Sequence, residues 1–236
     1  MRYIPFAILP LLAACQQQPS ISSEAKAATK TAAGPIVIEL YQSQGCSSCP
    51  PANRALNKVA NREGIIALNF SVTYWDRLGW KDTFGDKAYT NRQYAYAKAF
   101  REHNVYTPQV VLNGRTAIVG NGPGELERTI RSMRPIGGGP AISAKAGKVT
   151  IGAGKGKADV WIIRYDPRIQ NVAIRAGENN GRTLPHRNIV RQLVKMGRWN
   201  GSAKTFAAPA KASSKYRSVV IVQRSGHREI MSARRF

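Results

Sequence analysis

The stretch that decides the fold is Ile36-Val37-Ile38-Glu39-Leu40-Tyr41-Gln42-Ser43-Gln44-Gly45-Cys46-Ser47-Ser48-Cys49-Pro50-Pro51. An apolar, strand-like run ends in two cysteines three positions apart, and two prolines follow. Such a pair can close a small disulfide or share a thiolate, and a helix that starts at the thiols lowers a thiol pKa. Proline suits a first helical turn but disfavours helical geometry in the residue before it. The pattern therefore predicts a helix from Pro50, with Ser47 or Ser48 near its cap and Cys46 feeling less of the helix dipole.

Working outward, residues 52–62 show helical spacing through Ala52, Ala55, Leu56, Val59 and Ala60. Residues 65–72 read as a second strand and residues 86–103 as a helix. Residues 109–113 and 116–119 read as short strands, joined by the hairpin signal Asn113-Gly114. A last helix is expected over 125–133. The order is β-α-β-α-β-β-α, in which the first two strands, joined through a helix, should be parallel. The segment Pro135-Ile136-Gly137-Gly138-Gly139-Pro140 reads as a linker. Beyond it, residues 141–145, 148–151, 158–165, 171–176 and 217–223 are strand-like. Residues 188–199 fit either a helix or a long strand. The expected architecture is an α/β domain over 35–134 and a smaller, mostly antiparallel β domain over 141–236.

The N-terminus carries a different signal. Arg2 and a short apolar run end in Leu12-Ala13-Ala14-Cys15, which resembles the lipobox of bacterial lipoproteins. That resemblance implies export, lipidation of Cys15 and membrane anchoring, and Gln16 implies the outer membrane in a Gram-negative cell. The alternative is an ordinary secretory leader cut near Ala13-Ala14; both export the chain. Residues 16–34 read as a flexible tether. An exported compartment permits disulfides, and Cys46 and Cys49 are the pair left to form one. The net charge is +23, of which +16 falls in residues 135–236. A basic surface attracts polyanions; for an exported chain these are anionic lipid surfaces or acidic proteins rather than nucleic acid.

The element order with Cys-x-x-Cys after the first strand resembles the thioredoxin fold. Thr107-Pro108, just before the third strand, stands where that family carries a cis-proline facing the dithiol. More narrowly, residues 39–52, Tyr74-Trp75-Asp76, Leu78-Gly79-Trp80-Lys81-Asp82, Val105 to Gln109, and Gly177-Glu178-Asn179-Asn180-Gly181-Arg182-Thr183-Leu184 resemble a family of exported thioredoxin-like proteins, DUF1223. In that family His and Asp often stand where this chain has Ser71 and Thr73.

The resemblance implies Cys46 as nucleophile, Cys49 as resolving thiol, Pro108 as a substrate-contacting residue, and Glu39 as a buried acid handling the proton of Cys49; the alternative for Glu39 is an exposed strand face or a local ion pair. Thr107, Tyr74, Trp75 and Trp80 would line a peptide groove, although core packing explains the tryptophans equally well. Asp76 is placed to cap a turn. The expected partners are protein thiols and disulfides and an electron partner, with no cofactor beyond the cysteine pair. His103, His186 and His227 lie far apart and at no ligand spacing from the cysteines, so no metal site is expected. Gly120-Asn121-Gly122-Pro123-Gly124 lacks the lysine of a phosphate-binding loop and reads as a turn. The leading reading is an exported thiol–disulfide oxidoreductase. The rivals are a binding or assembly lipoprotein with a structural disulfide and a basic docking domain, and a copper(I)-binding protein.

Overall fold

The computed structural model describes residues 34–211 and 213–236, together with Met1 and Tyr3. Cys15 and most of the expected leader and tether lie outside the described residues. The described chain is mixed α/β. Its elements begin with β1 (Ile36–Gln42), α1 (Cys49–Val59), β2 (Ile65–Ser71), α2 (Lys87–Phe100), β3 (Gln109–Leu112), β4 (Thr116–Ile118) and α3 (Glu125–Ser132). There follow β5 (Ile142–Lys145), β6 (Lys148–Ile151), β7 (Ala158–Asp166), β8 (Gln170–Ala173), β9 (Thr183–His186), β10 (Ile189–Trp199), β11 (Lys204–Ala207), β12 (Arg217–Arg224) and β13 (Ile230–Arg235). The ambiguous segment is a strand, β10, and β9, β11 and β13 form where no strand was expected.

The strands of the second half do not make a separate body. They extend one eight-stranded sheet, ordered β13-β12-β7-β10-β2-β1-β3-β4. β1 and β2 are parallel, as the helical connection requires. β10 joins β2 in parallel at Ile189 and Asn69, and the Asn69 amide donates to the Asn188 carbonyl at 2.9 Å. The described residues from 34 onward accordingly form one compact unit. The Pro135–Pro140 segment connects α3 to β5 and does not divide the core.

Alternation along β1 divides the layers. Ile36, Ile38 and Leu40 pack with Ala52, Leu56 and Val59 of α1 and Leu126 and Ile130 of α3. Val37 and Tyr41 face the other way, toward Tyr89 and Tyr96 of α2 and Ile163, Val219 and Ile221 of β7 and β12. The second faces of β7 and β12 (Val160, Ile162, Val220, Val222) bury Ile142, Val149, Ile151 and Phe206 of the three-stranded sheet β11-β6-β5. The hairpin at Asn113 and Gly114 forms with both residues at positive φ, 52° and 62°. Gly114 is also required sterically, because a Cβ there would lie 2.4 Å from the Arg228 carbonyl.

Glu39 belongs to the α2 face. It is fully buried and paired with Arg92 of α2, whose Nε and Nη2 donate to its two oxygens at 2.8 and 2.9 Å. The Tyr41 and Tyr96 hydroxyls add bonds of 2.7 and 2.8 Å. Burial pushes the carboxyl pKa up, but the Arg92 charge and these donors more than offset it and hold Glu39 below the ordinary carboxylate range. Arg92 also donates to Gln223 of β12 at 3.0 Å, and Gln223 donates to the Tyr96 hydroxyl at 2.9 Å. Breaking one half of such a pair strands a buried charge. Arg92→Met should cost about 3–5 kcal/mol in urea unfolding, and adding Glu39→Leu should recover much of that loss.

Candidate functional site

α1 starts at Cys49, one residue earlier than expected, with Ser48 at the N-cap position and Pro50 and Pro51 in its first turn. The turn before it is held by the Cys46 amide on the Ser43 carbonyl and the Cys49 amide on the Cys46 carbonyl, both 3.2 Å. Cys46 and Cys49 are joined in a disulfide, with Cα atoms 5.4 Å apart. Both cysteines are fully buried, whereas Ser47 and Ser48 between them are exposed.

Thr107 and Pro108 come to the dithiol as expected. The Thr107–Pro108 peptide is cis. The Ser48 hydroxyl donates to the Thr107 carbonyl at 3.3 Å and lies 3.4 Å from Cys46 Sγ. Trp75 reaches the same loop, its Nε1 donating to Thr107 Oγ1 at 2.7 Å, and its Cβ stands 3.6 Å from where a Cβ on Gly45 would be. Trp80 donates from Nε1 to Gln44 Oε1 at 2.8 Å. Both tryptophans are thus half-buried walls of the dithiol loop. Tyr74 is turned to α2, donating to Gln93 Oε1 at 3.2 Å, and burial raises its hydroxyl pKa to about 12. Asp76 caps no α-helix; its Oδ1 accepts the Asp82 amide at 3.1 Å.

Glu39 does not join this group. Strand alternation puts it on the α2 face, opposite α1, and Arg92 and two tyrosines occupy its oxygens. The buried acid beside the dithiol loop is Asp82. Its Oδ2 accepts the Gln44 amide at 2.7 Å and its Oδ1 the Phe84 amide at 2.9 Å. Burial outweighs these bonds and raises its pKa from 3.8 to about 6. On the α1 side, Asn53 donates to Gln42 and Gln42 to Ser71, both at 2.9 Å, which keeps polar groups under the helix satisfied.

The second half of the chain supplies the rest of the site. Asn179, fully buried, donates from Nδ2 to the Gln44 and Cys46 carbonyls at 2.9 and 2.8 Å. Arg182 donates to Asn179 Oδ1 at 2.7 Å. Glu178 Oε2 accepts from the Ser47 amide at 3.0 Å and the Ser47 hydroxyl at 2.7 Å. Gly177 stands beside Gly45 and Trp80 at φ 74°, a backbone conformation that favours glycine. His186 is buried against Phe84 with both ring nitrogens unpaired, and burial holds its pKa near 4. Among the described residues no group of three or more His, Cys, Asp or Glu is arranged to hold a metal. Nor is any helix among them long and apolar enough to cross a membrane.

This geometry agrees with what the chain is similar to. A family model described as a protein of unknown function, DUF1223, matches residues 37–223. The chain belongs to the DUF1223 family. A crystal structure of a protein from Agrobacterium tumefaciens is 32% identical, with a TM-score of 0.69, covering 86% of this chain and 94% of that one. HBP35 of Porphyromonas gingivalis, 10% identical, shares the fold with a TM-score of 0.62 over 86% of this chain and 75% of that one. A protein of Archaeoglobus fulgidus named a probable thioredoxin is 27% identical over 100 residues, 42% of this chain and 90% of that protein. The DUF1223 match runs past residue 134, as the site requires, because Asn179 and Glu178 lie inside it.

Two outcomes follow from these contacts. Asn179→Ala leaves two buried carbonyls without their donor and should cost about 1–3 kcal/mol, with faster amide exchange at residues 44–49. Asp82 binds its proton more tightly folded than unfolded, so its contribution to stability falls as pH rises from about 4 to about 6. His186 acts in the opposite sense, losing stability as pH drops from 6.5 toward 4. Relative to the parent, Asp82→Asn should therefore gain stability as pH rises across 4–6, by up to about 3 kcal/mol in urea titrations.

Proposed function

We propose that this chain is a thiol–disulfide oxidoreductase built on a thioredoxin-like unit over β1 to α3. The observation that carries the reading is the Cys46–Cys49 bond at the start of α1, linked through Ser48 to the Thr107–Pro108 loop. The similarity to a probable thioredoxin supports it. In the reduced state the Cys46 thiolate attacks one sulfur of a target disulfide. A mixed disulfide forms and one target thiolate leaves. Cys49, deprotonated, then attacks the Cys46 sulfur, closing the Cys46–Cys49 bond and releasing the second target thiolate; two electrons have passed to the target. A dithiol electron partner reverses the exchange. Pro108 and Thr107 are the groups we assign to the target backbone, with Trp75 and Trp80 holding the loop. Export and lipid anchoring through Cys15 complete this proposal.

One observation favours the rival of a structural disulfide: both cysteines are fully buried. The two readings separate in a single measurement on the full chain carrying Cys15→Ser, equilibrated with glutathione and trapped. A reduction potential between about −270 and −120 mV is expected for an exchange catalyst, and one below about −300 mV marks a structural bond. Cys46→Ser should abolish disulfide exchange with model substrates; full activity in that variant overturns the assignment.

A further inference from the structure

We propose that Glu178, carried by the second half of the chain, is a positioning residue that opposes thiolate formation at Cys46 and so biases the pair toward its disulfide. The inference rests on the redox reading of the dithiol. A helix start offers a thiolate its unpaired amides and the positive end of its dipole. Here that supply is small. Pro50 and Pro51 have no amide hydrogen, the Cys49 amide is used by the Cys46 carbonyl, and the Ser47 amide is used by Glu178. Among residues 47–51 this leaves the Ser48 amide.

Glu178 also brings charge. The first turn of α1 contains no acidic residue of its own, so the carboxylate at this helix start comes from residue 178, far along the chain. The hydrogen bonds from the Ser47 side chain and amide hold its pKa below the ordinary range, so it stays ionised. Asn179, locked to the Gln44 and Cys46 carbonyls, fixes where it sits. Other charged groups stand at this loop, Asp82 on the Gln44 amide, Arg182 on Asn179 and Arg77 over the Trp75 ring, and their hydrogen bonds go to partners other than Ser47. Among the described residues, Glu178 is the one hydrogen-bonded to Ser47. Glu178 is exposed, so its effect is modest and screened by salt.

The test titrates Cys46 by thiolate absorbance in the full chain carrying Cys15→Ser and Cys49→Ser, with and without Glu178→Gln. Gln keeps an acceptor for Ser47 and removes the charge. The expected result is a fall of about half a pH unit in the Cys46 titration, about threefold in proton affinity. In the dithiol form, read at a pH above the Cys46 titration, Glu178→Gln should raise the reduction potential by about 15 mV, the same threefold change expressed for a two-electron couple. Raising salt should shrink the difference between the titrations with and without Glu178→Gln, because screening weakens the one charge that distinguishes them. A Cys46 titration unmoved by Glu178→Gln overturns the inference, and so does a shift in the opposite direction. Failure of the redox reading shows separately, as a Cys46–Cys49 bond that never exchanges with glutathione whatever residue 178 is.

Discussion

A carboxylate in the middle of an apolar strand would be costly in isolation, and this fold is arranged around satisfying one. Glu39 of β1 meets Arg92 of α2, and Arg92 meets Gln223 of β12. Three elements, far apart in sequence, are thus fixed by one buried charge and its donors. The guanidinium also lies over the rings of Tyr96 and Trp161, 5.2 and 5.1 Å from their centroids. Removing the charge pair as a whole is tolerable in principle; leaving half of it is not, because neither ion can be rehydrated in place. The α/β half and the strand-rich half are therefore one core, and the continuous sheet is its backbone expression.

The same fusion builds the candidate site. The thiols, the proline loop and the tryptophans come from the first half, but the carbonyls of the dithiol loop are held by Asn179, and the amide between the thiols is held by Glu178. A minimal α/β unit ending at α3 would leave the Gln44 and Cys46 carbonyls without those donors. Both donors fall inside the family match over residues 37–223.

Local rules made much of this legible. The apolar run before Cys46, the helical spacing after Pro51 and the Asn113-Gly114 turn each encode their element within a few residues, and each element formed. The proline loop was legible through the resemblance to the thioredoxin fold, and the structure pairs the strand that follows it, β3, with β1. Of the two readings of Glu39, the ion pair holds and the proton-handling role at Cys49 does not, because strand alternation turns it away from α1. One residue of alternation separates the α1 side from the α2 side, and its partner Arg92 lies 53 positions away. Asp82 gave no local sign, since its burial depends on β2, the Gln44 turn and residues 82–84 closing together. β9, β11 and β13 were missed because short strands with polar alternation take their stability from neighbours rather than from propensity.

The sequence by itself determined the dithiol and the β-α-β-α-β-β-α order, because turn chemistry and hydrophobic period act over a few residues, and its resemblance to the thioredoxin fold singled out the proline that accompanies them. Tertiary structure alone decided that the second half extends the same sheet, that Glu39 serves the core and not the thiols, and that Glu178 and Asn179 sit on the dithiol loop. Those outcomes rest on hydrogen bonds and ion pairs between residues 53 to 135 positions apart, whose partners are chosen only when the whole sheet has closed.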